Sequence, residues 1–152
     1  MVQKLIAYHP KEARYYGRLA NLYKIKGWDD KAFEMFKELL KVDPENPYIH
    51  LSLADYYRDK NQRDKAFDEI KKAFRNYSLD IDAKVRILLP YLEVTKSRPE
   101  MKPESDSLCK ILIDVHPDDA KSHSIYADFL YRDKKTELAR EEFRKAVSLD
   151  KN

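Results

Sequence analysis

The feature that most constrains this chain is a repeat with a period of about 34 residues. Pro10 and Pro44 stand in similar phrases and lie one such period apart. The same spacing separates three further pairs, which are Ala20 and Ala54, Tyr23 and Tyr57, and Ala32 and Ala66. A period of this length is typical of proteins that stack one small structural unit many times. We therefore predict an array of units rather than one globule around a central core.

The third unit lengthens the period. Pro44 and Pro117 are separated by two periods and a further stretch of five residues. The extra residues fall around 97–103, a stretch that holds two prolines, and we predict an extended loop there. Pro90 falls in the middle of a predicted helix, where it removes a hydrogen bond to the carbonyl of Arg86. We predict a kink in the helix near Pro90.

Composition indicates an all-α protein. The chain holds only two glycines and is rich in Lys, Glu, Leu, Ala and Arg, which are good helix formers. Its net charge of +3 comes from interleaved basic and acidic residues, which argues against a nucleic-acid partner. We find no membrane-spanning stretch and no signal-peptide pattern, so we predict a soluble chain without assigning a compartment.

The residues that recur follow a known pattern. The unit that starts at Ala13 reads Tyr16, Leu19, Ala20, Tyr23, Ala32, Phe36 and Pro44. The unit that starts at Ala120 reads His123, Tyr126, Ala127, Leu130, Ala139, Phe143 and Lys151. This pattern resembles the tetratricopeptide repeat (TPR), which is a repeated helix-turn-helix of the same period. The resemblance implies an all-α, right-handed superhelical stack of antiparallel helix pairs, an α-solenoid.

The resemblance covers residues 1–152 as a single domain. It divides the chain into the second helix of a truncated repeat at 1–12 and four repeats at 13–46, 47–80, 81–119 and 120–152. Small residues at the eighth and twentieth positions let the two helices of a repeat approach closely. We predict helices at 12–26, 29–42, 47–60, 63–77, 82–96, 104–116, 119–133 and 136–149, with N-caps at Asp29, Asp118 and Thr136.

Both ends of the chain look like interior parts of an array. Residues Met1 to Tyr8 match a second helix whose first helix is not encoded, and no polar capping helix follows the last repeat. We expect a segment of a longer multi-repeat protein. Its terminal helices would expose stacking faces, so we also expect weak end-to-end self-association.

The residues that could carry chemistry have structural explanations. His9 and His116 both precede a proline in the same turn of the repeat, whereas His50 and His123 both occupy the fourth, packing position. Cys109 falls at the twenty-fourth position, the core position of Phe36 and Phe143. We find neither metal-ligand spacing nor a phosphate-binding loop. We therefore predict no catalytic residue, no metal, no cofactor and no enzymatic activity.

The resemblance also implies where a partner would bind. In TPR proteins the first helices of successive repeats line a concave groove. Carried onto this sequence, the groove positions include Arg132 in the fourth repeat. The groove residues chosen as candidates for partner binding are Arg14, Arg18, Asn21, Lys24, Tyr48, Asp55, Arg86, Asp128 and Tyr131. The simpler alternative is that these residues form solvated helix faces with no partner.

Three functions remain in competition. The leading hypothesis is a protein-interaction scaffold that binds a peptide or protein partner in the groove. The second is a purely structural spacer in a larger protein. The third is an RNA-binding helical repeat, which the near balance of charge disfavours.

Overall fold

The computed structural model describes residues 13–150 of the chain. Within this range the chain forms eight α-helices and one 3-10 turn, and no strand. The helices are α1 Ala13–Ile25, α2 Asp29–Val42, α3 Pro47–Asp59, α4 Arg63–Arg75, α5 Ile81–Ser97, α6 Lys102–Val115, α7 Ala120–Arg132 and α8 Thr136–Asp150. Each bound lies close to the predicted one, so the predicted helices are confirmed. The helix predicted near Met1 to Tyr8 lies outside the described residues.

The helices pair as antiparallel hairpins. Helix α1 packs on α2, α5 on α6, and α7 on α8. A buried hydrogen bond between His50 and Glu69 joins α3 to α4. The chain separates into two compact units, one that ends at Ala73 and one that begins at Phe74. We call α1, α3, α5 and α7 the first helices, and α2, α4, α6 and α8 the second helices.

Paired alanines lie at the centre of three hairpins. In each of these hairpins one alanine comes from the first helix and one from the second. They are Ala20 and Ala32 at 0% and 2% exposed, Ala54 and Ala66 at 3% and 6%, and Ala127 and Ala139 at 0% and 2%. A methyl side chain allows two helix axes to come close, so that larger neighbours interlock around the contact. In the first hairpin these neighbours include Tyr16, Leu19, Tyr23 and Phe36.

Three hairpins also share one turn. The middle residue of this turn has a positive φ. The angle is 69° at Gly27, 58° at Asn61 and 60° at Lys134. In each case the next residue donates a backbone hydrogen bond back to the first helix, as from Trp28 N to Tyr23 O at 2.8 Å. Such a left-handed residue ends a helix by capping its last carbonyls. The turn therefore sets the same reversal of the chain in repeats one, two and four.

The third repeat departs from this plan. Helix α5 has 17 residues, whereas the other first helices have 13. It continues past Pro90 without a break, and the kink predicted there stays a prediction. After Arg98, a 3-10 turn at Pro99–Met101 leads directly into α6.

The extended loop predicted at 97–103 is therefore wrong. Most of the extra residues lengthen α5, and the rest form the 3-10 turn. Both prolines of the stretch lie in the first turn of a helical segment. A missing N–H costs nothing at that position, so proline begins helical structure there instead of preventing it.

The predicted N-caps are also corrected. Asp29 is the first residue of α2, and the N-cap is Trp28, which forms no side-chain capping bond. The N-cap of α7 is Asp119 and not Asp118, and its carboxylate accepts from Lys121 N at 2.8 Å. Thr136 is the first residue of α8. The repeat period places helices well, but a shift of a single position decides which side chain reaches the free N–H groups.

Candidate functional site

All nine candidate residues lie on first helices, and all nine are exposed. Four lie on α1, two on α3, one on α5 and two on α7. In order, they are Arg14, Arg18, Asn21 and Lys24, then Tyr48 and Asp55, then Arg86, and finally Asp128 and Tyr131. On α1, α3 and α7 the alanine contacts bury the opposite side of the helix, so these faces are turned toward solvent.

The face of α1 is basic. Arg14, Arg18 and Asn21 follow one another at helical spacing, so they lie on one side of the helix. The guanidinium of Arg14 stacks on the ring of Tyr15 at 5.0 Å from the ring centroid. Ile25 follows on the same side and is 84% exposed. This side of α1 therefore offers two guanidinium groups beside an apolar side chain.

A small cleft of the first unit brings Lys24 and Asp55 together with residues of α2. Its volume is ≈ 40 Å³, enough for a few water molecules and too small for a partner side chain. Asp55 forms an ion pair with Arg58, one turn further along α3. The carboxylate of Asp55 therefore already has a cationic partner within the chain.

A larger cleft of ≈ 600 Å³ lies in the second unit, and it includes Asp128 and Tyr131. Its walls come from α5, from α7 and from the start of α8. They are Leu92, Glu93, Lys96, Asp128, Tyr131, Arg132, Lys134 and Thr136. One acidic wall residue, Glu93, is paired with Lys96 at 2.7 Å. This cleft is large enough to receive a side chain of another molecule.

Arg132 does not present its charge to the cleft. All five of its N–H groups are used inside the second unit. Nε and Nη2 donate to the two oxygens of Asp133 at 2.9 and 2.6 Å, and Nη2 also donates to Asp106 at 3.3 Å. Nη1 donates to Thr95 at 3.0 Å and to Ser105 at 3.1 Å. Arg132, expected as a groove position, lines the cleft, but its hydrogen bonds are made within the unit and tie α5, α6 and α7 together.

Asp133 receives a second cation as well. Lys102 donates to Oδ1 of Asp133 at 2.9 Å. The hydrogen bonds from Arg132 and Lys102 hold the pKa of Asp133 at about 2, although partial burial acts in the opposite direction. This carboxylate therefore stabilises the folded second unit whenever it is ionised.

His50 and His123 hold equivalent positions in repeats two and four. His50 forms hydrogen bonds to Glu69 at 2.6 Å and to the carbonyl of Pro44 at 2.9 Å. The corresponding bonds of His123 go to Glu142 at 2.6 Å and to the carbonyl of Pro117 at 2.7 Å, so both ring nitrogens face acceptor oxygens. Each histidine thus links a first helix to its second helix and to the preceding turn. We call this arrangement the histidine clamp.

Lys84 occupies the clamp position of the third repeat. Its side chain is fully buried, and Nζ donates to the carbonyl of Asn76 at 2.9 Å and to Nε2 of His116 at 2.7 Å. Burial lowers the pKa of Lys84 to about 8. Burial and the nearby Lys84 also lower the pKa of His116, whose ring stacks on Tyr77. Sequence reasoning missed this lysine. The signal that could have found it is its position, the fourth of the repeat, which His50 and His123 occupy in repeats two and four.

Of the three core residues predicted at the twenty-fourth position, Phe36 and Cys109 are buried and Phe143 is not. Cys109 is fully buried, and burial raises the pKa of its thiol, so it is an unreactive core residue. Phe143 is 38% exposed, which corrects its assignment to the core. With Tyr131 and Val147 it lines an apolar groove of ≈ 440 Å³ along α8. We call this groove the α8 face.

Comparison with known proteins places the chain in a family. Two family models described as tetratricopeptide repeat match it, one over residues 13–46 and one over residues 107–152. Together the two matches span more than half of the chain. The chain belongs to the tetratricopeptide repeat family. The histidine clamps and the paired alanines are therefore features of a TPR array, and the fold is one used for protein interaction.

Solved structures agree with this TPR fold. Two crystal structures of MamA match the chain, each with a TM-score of 0.57. They are 17% and 15% identical to it, both matches cover 99% of this chain, and they cover 85% and 79% of the MamA chains. At such identity the likeness concerns the fold. No curated protein matches the sequence significantly.

Two further searches of residues 13–150 bear on the kind of site. No group of three side chains in this range is arranged to hold a metal ion. No helix in the same range is long and apolar enough to cross a membrane.

The histidine clamp generates a stability prediction. His50→Leu removes a hydrogen-bond partner from Glu69, whose side chain is only 11% exposed, and leaves it with Lys72 alone. We expect a loss of about 2–3 kcal/mol in the free energy of unfolding, because a buried carboxylate is then poorly satisfied. Adding Glu69→Leu should recover most of this loss, as measured by urea denaturation. A double variant that shows no recovery would contradict the clamp.

A pH prediction follows from Asp133. Its pKa of about 2 lies below its ordinary value of 3.8, so its contribution is present above that value and lost as the pH falls toward 2. Asp133→Asn should therefore lower the free energy of unfolding by about 2 kcal/mol at neutral pH, and by much less near pH 2. Denaturation at both pH values checks this. Asp114→Asn, a change at an exposed carboxylate on α6, serves as the control. An equal loss at both pH values would refute the role of Asp133.

Proposed function

We propose that this TPR chain is a protein-interaction scaffold that binds a peptide segment of a partner protein on the exposed faces of its first helices. One observation carries the proposal. The nine residues that the TPR resemblance selects as partner-binding are all exposed, whereas the paired alanines on α1, α3 and α7 are buried. The helices are rigid supports, and their outer faces offer both charged and apolar groups, as peptide-binding surfaces do.

Basic residues give this proposal a test. Arg14 and Arg18 lie on α1, Arg86 lies on α5, and all three are exposed. Replacing these three with glutamate should weaken capture of peptides selected from a random displayed library by roughly tenfold or more, since favourable charge pairs become repulsive. The measurement is fluorescence anisotropy of the selected peptides with each variant.

A matched control separates the site from net charge. Arg75, Lys110 and Lys135 are exposed and lie outside the first helices, so changing all three to glutamate alters the total charge equally. Binding should survive in this control. Equal weakening in both variants, or none in the first, would argue against the first-helix faces. A selection that yields no peptide would favour a purely structural spacer. Salt-sensitive binding of RNA would favour an RNA-binding helical repeat.

We also propose weak self-association through the α8 face. Phe143 and Val147 are 38% and 55% exposed, and the groove that they line with Tyr131 is almost wholly apolar. Burying such a surface against a second copy removes it from water. Light scattering at increasing concentration should show growth of the average mass, and Val147→Asp should abolish it. A strict monomer at the highest concentration would contradict self-association.

A further inference from the structure

Asp128 is a carboxylate without a partner among the described residues. It lies on α7 and lines the cleft of the second unit. Within residues 13–150, no side chain donates a hydrogen bond to it or forms an ion pair with it. Arg132, one turn further along, would be its natural partner, but all five N–H groups of Arg132 are used by Thr95, Ser105, Asp106 and Asp133. The interior of the second unit thus removes the cation that would neutralise Asp128.

The second repeat provides an internal comparison. Asp55 holds the same repeat position as Asp128, two repeats earlier. The residue three positions after Asp55 is Arg58, which pairs with it, whereas the residue three positions after Asp128 is Tyr131. An aromatic ring cannot neutralise a carboxylate. The carboxylate at this repeat position is therefore paired with a cation in the second repeat and unpaired in the fourth.

The lining of the cleft leaves the carboxylate of Asp128 without a cationic partner. Leu92 and Tyr131 line the same cleft, and Tyr131 is 67% exposed. Partial burial by its neighbours raises the pKa of Asp128, although the residue remains exposed to solvent. Glu93 is paired with Lys96. Lys134 also lines the cleft and lies in the exposed turn before α8. Among the residues that line the cleft, Asp128 is thus the unpaired negative charge.

We propose that Asp128, Leu92 and Tyr131 form a receptor for one basic side chain, lysine or arginine, of the partner peptide. The inference rests on the proposed function, and it specifies which kind of side chain of the partner peptide this cleft binds. The cationic head pairs with Asp128, while the methylene stem lies along Leu92. The face of Tyr131 attracts the same cation through its π electrons.

The test uses the whole chain and a random displayed peptide library. Peptides selected on the wild-type chain should be enriched in lysine or arginine at one position. Replacing that basic residue with glutamine should weaken binding roughly tenfold, and the same loss should appear with Asp128→Asn. The two changes together should cost no more than either alone, because they remove the same ion pair.

The matched control is Asp114→Asn. It removes an exposed carboxylate of α6, outside the first helices, and should leave the basic preference unchanged. Asp128→Asn removes an unpaired charge, so the melting temperature of this variant should equal or exceed that of the wild type. This measurement excludes unfolding as the cause of lost binding.

The outcomes distinguish the two proposals. Peptides that bind the first helices without a basic residue, or with a preference that survives Asp128→Asn, would overturn the receptor and leave the scaffold standing. A library that yields no binding peptide would overturn the scaffold, and the receptor with it. A basic preference lost only with Asp128→Asn would support both.

Discussion

The close contact between the two helices of each hairpin is the constraint on which the rest of the structure depends. Three of the four hairpins in the described range make this contact through paired alanines that are 6% exposed or less. Because these pairs hold the first helix tightly against the second, the opposite side of the first helix faces solvent. The candidate residues on α1, α3 and α7 are exposed for this reason, and Arg86 on α5 is exposed without such a pair. The binding faces are thus a consequence of how the core is packed.

Polar contacts then distinguish the repeats from one another. Repeats two and four use a histidine clamp, but the third places buried Lys84 in the same position. The third repeat also replaces an alanine pair with Leu88 and Ser105, and Ser105 accepts a hydrogen bond from Arg132 of the next repeat. This bond helps to leave Asp128 unpaired. An irregular repeat therefore determines the chemistry of the cleft beside it.

Much of this fold can be predicted from the period alone. The bounds of the helices, the alanine pairs and the exposure of the nine candidate residues follow from positions that recur from repeat to repeat. The period fails where the sequence departs from it, because prolines at 97–103 begin helical segments instead of a loop. Likewise, Phe143 holds a core position in the repeat and is 38% exposed. The partners Thr95 and Asp106 of Arg132 lie in other helices, far from it along the sequence, so only the folded packing reveals them.

The central claim is that partners bind on the first helices, and amide chemical-shift mapping tests it most directly. A peptide selected on this chain is titrated into isotope-labelled protein, and the shifted amides are assigned to helices. We expect the largest shifts on α1, α3, α5 and α7, with those of the second unit centred on Leu92, Asp128 and Tyr131. Shifts confined to α2, α4, α6 and α8 would contradict the claim.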